Sequence, residues 1–331
     1  MVSQPRKARG LGLCSGGLDS ILSALILKKQ GVHVEWITFE TPFFSSEKAR
    51  LASHNTGIPL TVRNITPVYL EMLKNPPCGY GQNMNPCMDC HALMFRLAGE
   101  RMKEKGFDFL FSGEVLGQRP MSQTGPSLRY VEKNSGFDGH IVRPLSARKL
   151  PETLPEKEGL INRSLLLDLS GRSRKPQMAL ALEFGITDYP SPAGGCLLTD
   201  KGYSARLKDI FDHRETFTEN ELHLLKFGRH FRLDDNTKII VGRTQKDNEN
   251  IIRYHNSAED ATIRVEKFPG PTVLIPHGGT KDMTALAASV CVGYSKAPNH
   301  IPADVKVVTR NGHNIIQVSG ILPAEVRHFL I

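Results

Sequence analysis

Strand and helix patterns alternate from about residue 9 to residue 140, and that rhythm restricts the possible folds more than any other feature of the chain. Leu11-Gly-Leu-Cys14 reads as a short buried strand. Leu18 to Gln30 follows as a helix, with Leu22, Leu25 and Ile26 on one face and Gly31 as its stop. Val32 to Phe39, Ile58 to Ile65 and Phe107 to Ser112 read as further strands, with helices over Ser45 to Gly57 and His91 to Gly106. Strands spaced by helices form parallel βαβ units with right-handed crossovers, and their ligands sit at the carboxyl ends of the strands. Residues 66–90 and 113–165 read as irregular connections, and 172–185 as a helix.

After about residue 205 the texture changes. Phe231 to Leu233, Lys238 to Val241, Ile251 to Tyr254, Thr262 to Val265 and Pro271 to Ile275 are short strand candidates, and Met283 to Tyr294 is an Ala-rich helix. Asn311-Gly312, between Val305–Thr309 and Ile315–Val318, marks a hairpin. The expected architecture is an α/β parallel-sheet domain over residues 1–205, followed by a smaller α+β domain over 206–331. A length of 331 residues suits two domains.

With 40% hydrophobic and 23% charged residues, the chain has the composition of a folded soluble protein. No run approaches the ~18 apolar residues of a membrane span. The basic N-terminus is followed by Gly10 to Cys14, too short for a signal-peptide core. The expectation is a cytoplasmic protein with no membrane partner. The net charge of +8 favours a polyanionic partner, and it is uneven. Residues 1–205 hold 25 Lys/Arg against 19 Asp/Glu, and residues 206–331 hold 17 against 15.

Ser15-Gly-Gly-Leu-Asp-Ser20 lies between the first strand and the first helix. Gly16 and Gly17 let backbone N–H groups approach oxyanions, and the helix N-terminus adds positive dipole charge. Ser15 and Ser20 offer hydroxyl donors. Asp19 would repel phosphate unless it held Mg²⁺ or a water. No Gly-Lys-Ser/Thr follows, so this is not the lysine-bearing phosphate loop. The string resembles the signature of the PP-loop ATP pyrophosphatases. That resemblance implies an adenine-nucleotide alpha-hydrolase-like fold and ATP as the substrate that activates a carbonyl or carboxyl oxygen by adenylylation.

The six cysteines are too few for a disulfide scaffold. Cys87-Met-Asp-Cys90 immediately precedes the His91 to Gly106 helix, at an N-terminus where the dipole favours thiolate and two sulfurs can share a metal. Cys196 lies in a Pro/Gly-rich loop. Cys14 and Cys291 fall in apolar segments and read as core, and Cys78 has no assigned role. Three cysteines and one open position suit a [4Fe–4S] cluster held by Cys87, Cys90 and Cys196.

The resemblance sharpens at Ser112-Gly-Glu-Val-Leu-Gly-Gln118, with Ser122-Gln-Thr124 and Arg143-Pro-Leu145 following. This stretch is similar to 4-thiouridine synthases, and Asn85-Pro86 to Cys90 is similar to a segment of tRNA 2-thiouridylases. The similarity covers roughly residues 9–200, without extending to the 4-thiouridine synthases' N-terminal RNA-binding domains or to a rhodanese domain. It implies that Gly113 and Gln118, with the loop, bind the nucleotide. It implies that Cys90 acts in sulfur transfer with Cys87 and Cys196, and that three-cysteine members bind a [4Fe–4S] cluster.

Ile239 to Asn250, Phe268-Pro-Gly-Pro-Thr-Val-Leu-Ile275 and Ala285 to Ser295 resemble the NFACT RNA-binding domain over about residues 210–331. There Arg243, Lys246, Lys267, Lys281 and Lys296 are candidate phosphate contacts, and His255 or His277 a base-stacking ring. A denser basic supply lies at Arg143, Arg148, Lys149, Arg172, Arg174 and Lys175, the candidate RNA contacts of the first domain.

The reading reached is an ATP-dependent tRNA thiouridylase. It would adenylylate a uridine carbonyl oxygen and replace it with sulfur, giving 4-thiouridine or 2-thiouridine. The sulfur donor would be sulfide or a cysteine desulfurase. Two rivals remain: a sulfur-inserting enzyme for a small molecule or cofactor precursor, and an RNA-binding adaptor with a degenerate nucleotide site. The product and the oligomeric state stay open at this point.

Overall fold

The computed structural model describes residues 6–190, 196–298 and 301–331. The chain divides into two compact units, one ending at Thr199 and the other beginning at Asp200.

In the first unit, β1 (Arg9–Leu13), α1 (Leu18–Lys29), β2 (His33–Glu40), α2 (Glu47–Thr56) and β3 (Leu60–Asn64) follow in order. Then come α3 (Thr66–Lys74), α4 (Cys87–Lys105), β4 (Phe109–Ser112), α5 (Gly125–Ser135), β5 (Ile141–Val142), α6 (Leu154–Lys157) and α7 (Lys175–Glu183). The five strands are all parallel, in the order β3-β2-β1-β4-β5. Chain order reverses between β1 and β4, so the crevice of this sheet opens where those two strands end. Trp36, Phe109 and Phe111, with Leu18, Leu22 and Leu27 of α1, build its core. These strands carry near-continuous apolar runs because both faces are covered.

The second unit contains α8 (Lys201–His213), α9 (Glu219–Leu224), β6 (Arg229–Arg232), β7 (Lys238–Val241), α10 (Gln245–Tyr254), β8 (Ala261–Val265), β9 (Val273–Ile275), α11 (Lys281–Gly293), β10 (Ala303–Thr309) and β11 (Gly312–Val318). Its six strands run β11-β10-β8-β9-β7-β6, every neighbouring pair antiparallel. The expected fold class is therefore borne out: a parallel α/β sheet, then a separate antiparallel α+β unit. Cys14 and Cys291 lie in the two cores, as expected.

Several local expectations need correction. Residues 66–90 are not all irregular, since Thr66–Lys74 forms α3 with a proline in its first turn. The next helix begins at Cys87 rather than His91, which puts both cysteines in its first turn. The 113–165 connection contains α5 and the short strand β5. Ile251 to Tyr254 is helix, not strand. Two β-branched residues suggested a strand there, but the Thr244 side chain caps the segment by accepting from the Asp247 N–H at 3.1 Å, and Ile251 is buried as the helix's apolar anchor.

Candidate active site

The loop after β1 is shaped by its two glycines in different ways. Gly16 has φ +74°, and a Cβ there would stand 2.2 Å from the backbone carbon of Lys48 in α2. Gly17 has an ordinary φ of −82°, and a Cβ on it would meet only the Ser15 hydroxyl, at 3.4 Å. Packing requires the first glycine. The second leaves open space above the backbone, the form an anion cradle takes. No side chain caps α1. Ser20 is buried, and its hydroxyl donates to the Gly17 carbonyl at 2.7 Å, so it shapes the loop.

Asp19 carries the loop's charge. Its Oδ2 accepts from the Gln118 amide at 2.8 Å, and Gln118 in turn accepts from the Gln177 amide at 3.3 Å. Its Oδ1 is buried and has no hydrogen-bond partner among the described residues. Burial raises the Asp19 pKa, against the Gln118 hydrogen bond and the charges of Arg174 and Arg119. A carboxylate oxygen left bare beside a phosphate-type loop fits a hard cation such as Mg²⁺. Gly113 approaches this loop from the end of β4, where a Cβ would stand 2.4 Å from the Asp19 carbonyl carbon. Its missing side chain thus serves contact with α1.

The rest of the Ser112-Gly-Glu stretch is a buried electrostatic joint. Glu114 accepts from the Arg143 Nε at 2.9 Å and the Ser112 hydroxyl at 3.1 Å, and its other oxygen lies 2.9 Å from His91 Nδ1. Arg143 also pairs with Glu132. Burial pushes the Glu114 carboxyl up, but Arg143 and then His91 outweigh it and hold it at about 2. Arg143 is only 3% exposed, which corrects its assignment as an RNA contact: just past β5, it pairs with Glu114 just past β4 and with Glu132 in the later part of α5. Neither Glu114 nor His91 was assigned a role from the sequence, although Glu114 lies inside the motif that carried the resemblance.

The cysteines gather around Tyr69 of α3. The Tyr69 hydroxyl is buried beside the Cys90 sulfur, with which it shares a side-chain hydrogen bond, and Cys90, Cys196 and Cys87 all act on it electrostatically. Burial raises the Cys90 thiol, and the neighbouring Cys196 raises it further. Burial lifts Cys196 to about 11. The helix-start expectation of a thiolate therefore fails at Cys90, because desolvation inside the turn exceeds what the dipole provides. The Asn85 amide donates to the Cys87 sulfur at 2.9 Å. Cys78 is exposed, and its backbone N–H donates to Asp89, which also accepts from the Tyr130 hydroxyl at 2.8 Å. Leu197, next to Cys196, donates its N–H to the Phe43 carbonyl just past β2. The cysteines and the loop thus share the carboxyl edge of one sheet. The thiols suit iron or zinc by chemistry, yet among the described residues no three His, Cys, Asp or Glu side chains stand ready to hold a metal ion.

The other candidate RNA contacts are at the surface. Arg148 pairs with Asp168 at 3.3 Å, and Lys149 donates to the Ser170 hydroxyl at 2.6 Å. Arg172 and Lys175 are exposed, while Arg174 is half-buried and acts on Asp19. Both nitrogens of His277 are engaged, with Glu221 and Glu259, which leaves its ring edge-bound.

Residues 6–149 match the family described as thiamine biosynthesis protein (ThiI), and residues 228–330 match the NFACT protein RNA binding domain. Both resemblances read from the sequence are thus found, each over its own part of the chain. A protein of Oceanobacillus iheyensis named probable tRNA sulfurtransferase is 27% identical over 155 residues, 44% of this chain and 37% of that protein. A protein of the same name from Finegoldia magna is 32% identical over 155 residues, 44% of this chain and 38% of that one. The chain spans little more than a third of the length of these relatives. Among solved structures, a predicted subunit of tRNA methyltransferase from Methanocaldococcus jannaschii aligns with TM-score 0.35 and 18% identity, over 53% of this chain and 76% of that one. No helix among the described residues is long and apolar enough to cross a membrane.

Proposed function

We propose that the chain is a cytoplasmic ATP-dependent tRNA sulfurtransferase that adenylylates a uridine carbonyl oxygen and replaces it with sulfur. The observation that carries this reading is one sheet edge that holds both a cation-ready phosphate loop and three neighbouring thiols. The relatives named tRNA sulfurtransferase support it.

In the first step the uridine oxygen attacks the α-phosphorus of ATP, and pyrophosphate leaves with the electron pair of the broken bond. Ser15, Gly16 and Gly17 bind the phosphates, and Arg119 and Arg174 add positive charge beside Asp19. Asp19 would hold Mg²⁺, which neutralises charge on the departing pyrophosphate. Gln118 keeps the Asp19 carboxylate in place. In the second step sulfur attacks the activated ring carbon and AMP leaves. Hydrosulfide as nucleophile requires no change of oxidation state. A persulfide on Cys90 would instead form a disulfide to the uridine carbon. The thiolate of Cys196 or Cys87 then attacks Cys90 Sγ, releasing the thiouridine and leaving a protein disulfide for a thiol reductant to restore. Cys87, Cys90 and Cys196 are also the residues that would hold a [4Fe–4S] cluster, whose chemistry there is to present inorganic sulfide.

Pyrophosphate release with bulk tRNA, and with tRNA omitted, tests the reading. Release that depends on tRNA, with 4-thiouridine or 2-thiouridine in the digested RNA, is the expected result. Anaerobic protein with about four iron per chain and a broad band near 400 nm supports the cluster route. Colourless, iron-free protein with full thiolation supports the persulfide route. The family's description as a thiamine biosynthesis protein favours one second reading, sulfur insertion into a small-molecule precursor. Pyrophosphate release that needs a metabolite and no RNA would select it.

A further inference from the structure

The second unit contains a cleft of about 370 Å³ between α10 and the loop joining β8 to β9. We propose that this cleft binds one unpaired RNA nucleotide, with the base inside and the phosphate on its rim. The volume is in the range of small-molecule pockets and admits a nucleobase with its sugar. Phe268 lies on one wall, 38% exposed in spite of its size, and Ile252 lines the cleft from α10. An aromatic ring with an aliphatic neighbour is a stacking platform that any base satisfies.

The polar groups point to a neutral, hydrogen-bonding guest. The Arg264 Nε donates to the Thr272 hydroxyl at 2.9 Å, which fixes the guanidinium plane in the wall. The Asn248 Oδ1 accepts from the Thr272 N–H at 2.9 Å, so its NH₂ stands as the donor. Glu249 adds a carboxylate to the lining, its Oε1 accepting from the Gln245 amide at 3.0 Å and its other oxygen open to base N–H groups. Besides Arg264, further cations stand close to the lining. Exposed Lys246 follows the lining residue Gln245 in sequence, and the backbone N–H of exposed Lys296 donates to the Pro269 carbonyl at 2.9 Å, next to the lining residues Phe268 and Gly270. A carboxylate and a guanidinium in the lining, with lysines beside it, suit a base in the cleft and a backbone across its edge. Phe268, rather than His255 or His277, is then the stacking residue of this unit.

The inference rests on the match of residues 228–330 to an RNA binding domain, and not on thiolation chemistry. Anisotropy of a labelled, unstructured twelve-nucleotide RNA of mixed sequence, and of a blunt RNA duplex of equal length, tests it on the full chain. Phe268→Ala should weaken single-strand binding about tenfold or more and leave the duplex within about twofold. Phe268→Trp should keep the affinity, and its emission should fall when the single strand is added. The chain's only native tryptophan, Trp36, is fully buried and gives a constant background. Matching thermal melts establish that both variants are folded. Unchanged single-strand binding by Phe268→Ala, equal loss on the duplex, or tryptophan emission that RNA does not move would overturn the proposal. So would displacement of the single strand by free AMP or GMP at micromolar concentration, which would make the cleft a mononucleotide site. Pyrophosphate release is read separately, so failure here leaves the thiolation reading standing.

Discussion

The phosphate loop and the cysteine centre share one edge of the first unit's sheet, but they are prepared in opposite ways. The loop has its electrostatics built in: an uncapped helix start, a bare Asp19 oxygen and two arginines within its field. The cysteine centre is held neutral, because burial keeps the Cys90 and Cys196 thiols protonated. Once a cation sits on Asp19, a polyanion can dock on the loop, whereas the sulfurs ionise only when a cation or an electrophile reaches them. That difference suits a reaction in which activation precedes sulfur transfer.

The joint between the two regions gives the largest expected effect. Arg143→Ala leaves the buried Glu114 carboxylate without its main partner, a loss of roughly 3–5 kcal/mol for a broken buried pair. Urea unfolding should show it, and a loss below about 1 kcal/mol would remove Arg143 as the strut. The pH dependence has a definite sign. Glu114 is lowered from 4.5 to about 2 on folding, so its contribution is fully present above about pH 4.5 and is lost as pH falls toward 2. That shift corresponds to about 3 kcal/mol. In Arg143→Ala the acid limb of the stability curve should flatten.

Asp19→Asn separates function from stability in the loop. The asparagine oxygen can still accept from Gln118, and a buried, partly unsatisfied carboxylate is removed. Thermal stability should therefore hold or rise, while pyrophosphate release falls about a hundredfold or more as the cation ligand is lost. Equal loss of both would make Asp19 a structural residue and end the contrast with the cysteines.

How far all this was legible depended on range. The parallel sheet could be read because each βαβ unit is local, and because buried parallel strands are continuously apolar. The loop was visible for the same reason: six consecutive residues carry it. The helix at Thr66–Lys74 was obscured by the Pro and Gly residues after it, so Tyr69 at the heart of the cysteine centre went unread. Arg143 looked like a phosphate contact because its partners, Glu114 and Glu132, are 29 and 11 residues away. The protonated state of Cys90 depends on side chains from α3 and from the Cys196 segment, which no local pattern reveals. Of the Pro/Gly-rich loop expected around Cys196, residues 191–195 lie outside the described part of the structure, and Leu197–Thr199 forms a 3-10 turn.

The two loop glycines sharpen the contrast at a smaller scale. Gly16→Ala must place a Cβ at φ +74° against the α2 backbone, and should cost about 2 kcal/mol or more. Gly17→Ala meets only a movable serine hydroxyl, so stability should change by about 0.5 kcal/mol or less. ATP binding by Gly17→Ala should nevertheless weaken, because the methyl group fills the cradle. Calorimetric ATP titration of the two folded variants distinguishes packing from binding; unchanged affinity in Gly17→Ala would move the phosphates elsewhere.

The smallest effect tests the cysteine side directly. With its thiol lifted to about 11, Cys196 should react slowly with iodoacetamide at pH 7. Only the thiolate attacks, so the rate should climb roughly tenfold per pH unit up to about pH 10. An unperturbed cysteine levels off near pH 8.5. Because Cys78 is exposed and will also be alkylated, the rate has to be followed on the Cys196 peptide by mass spectrometry. On the cluster route the Cys196 peptide of anaerobically purified, iron-loaded protein should be protected at every pH, and on the persulfide route its profile should match that of the iron-free protein. A Cys196 rate that levels off near pH 8.5 in the apoprotein would mean the centre is not held neutral. Both halves of the site would then be charged in advance, and the order of activation before sulfur transfer would need another cause.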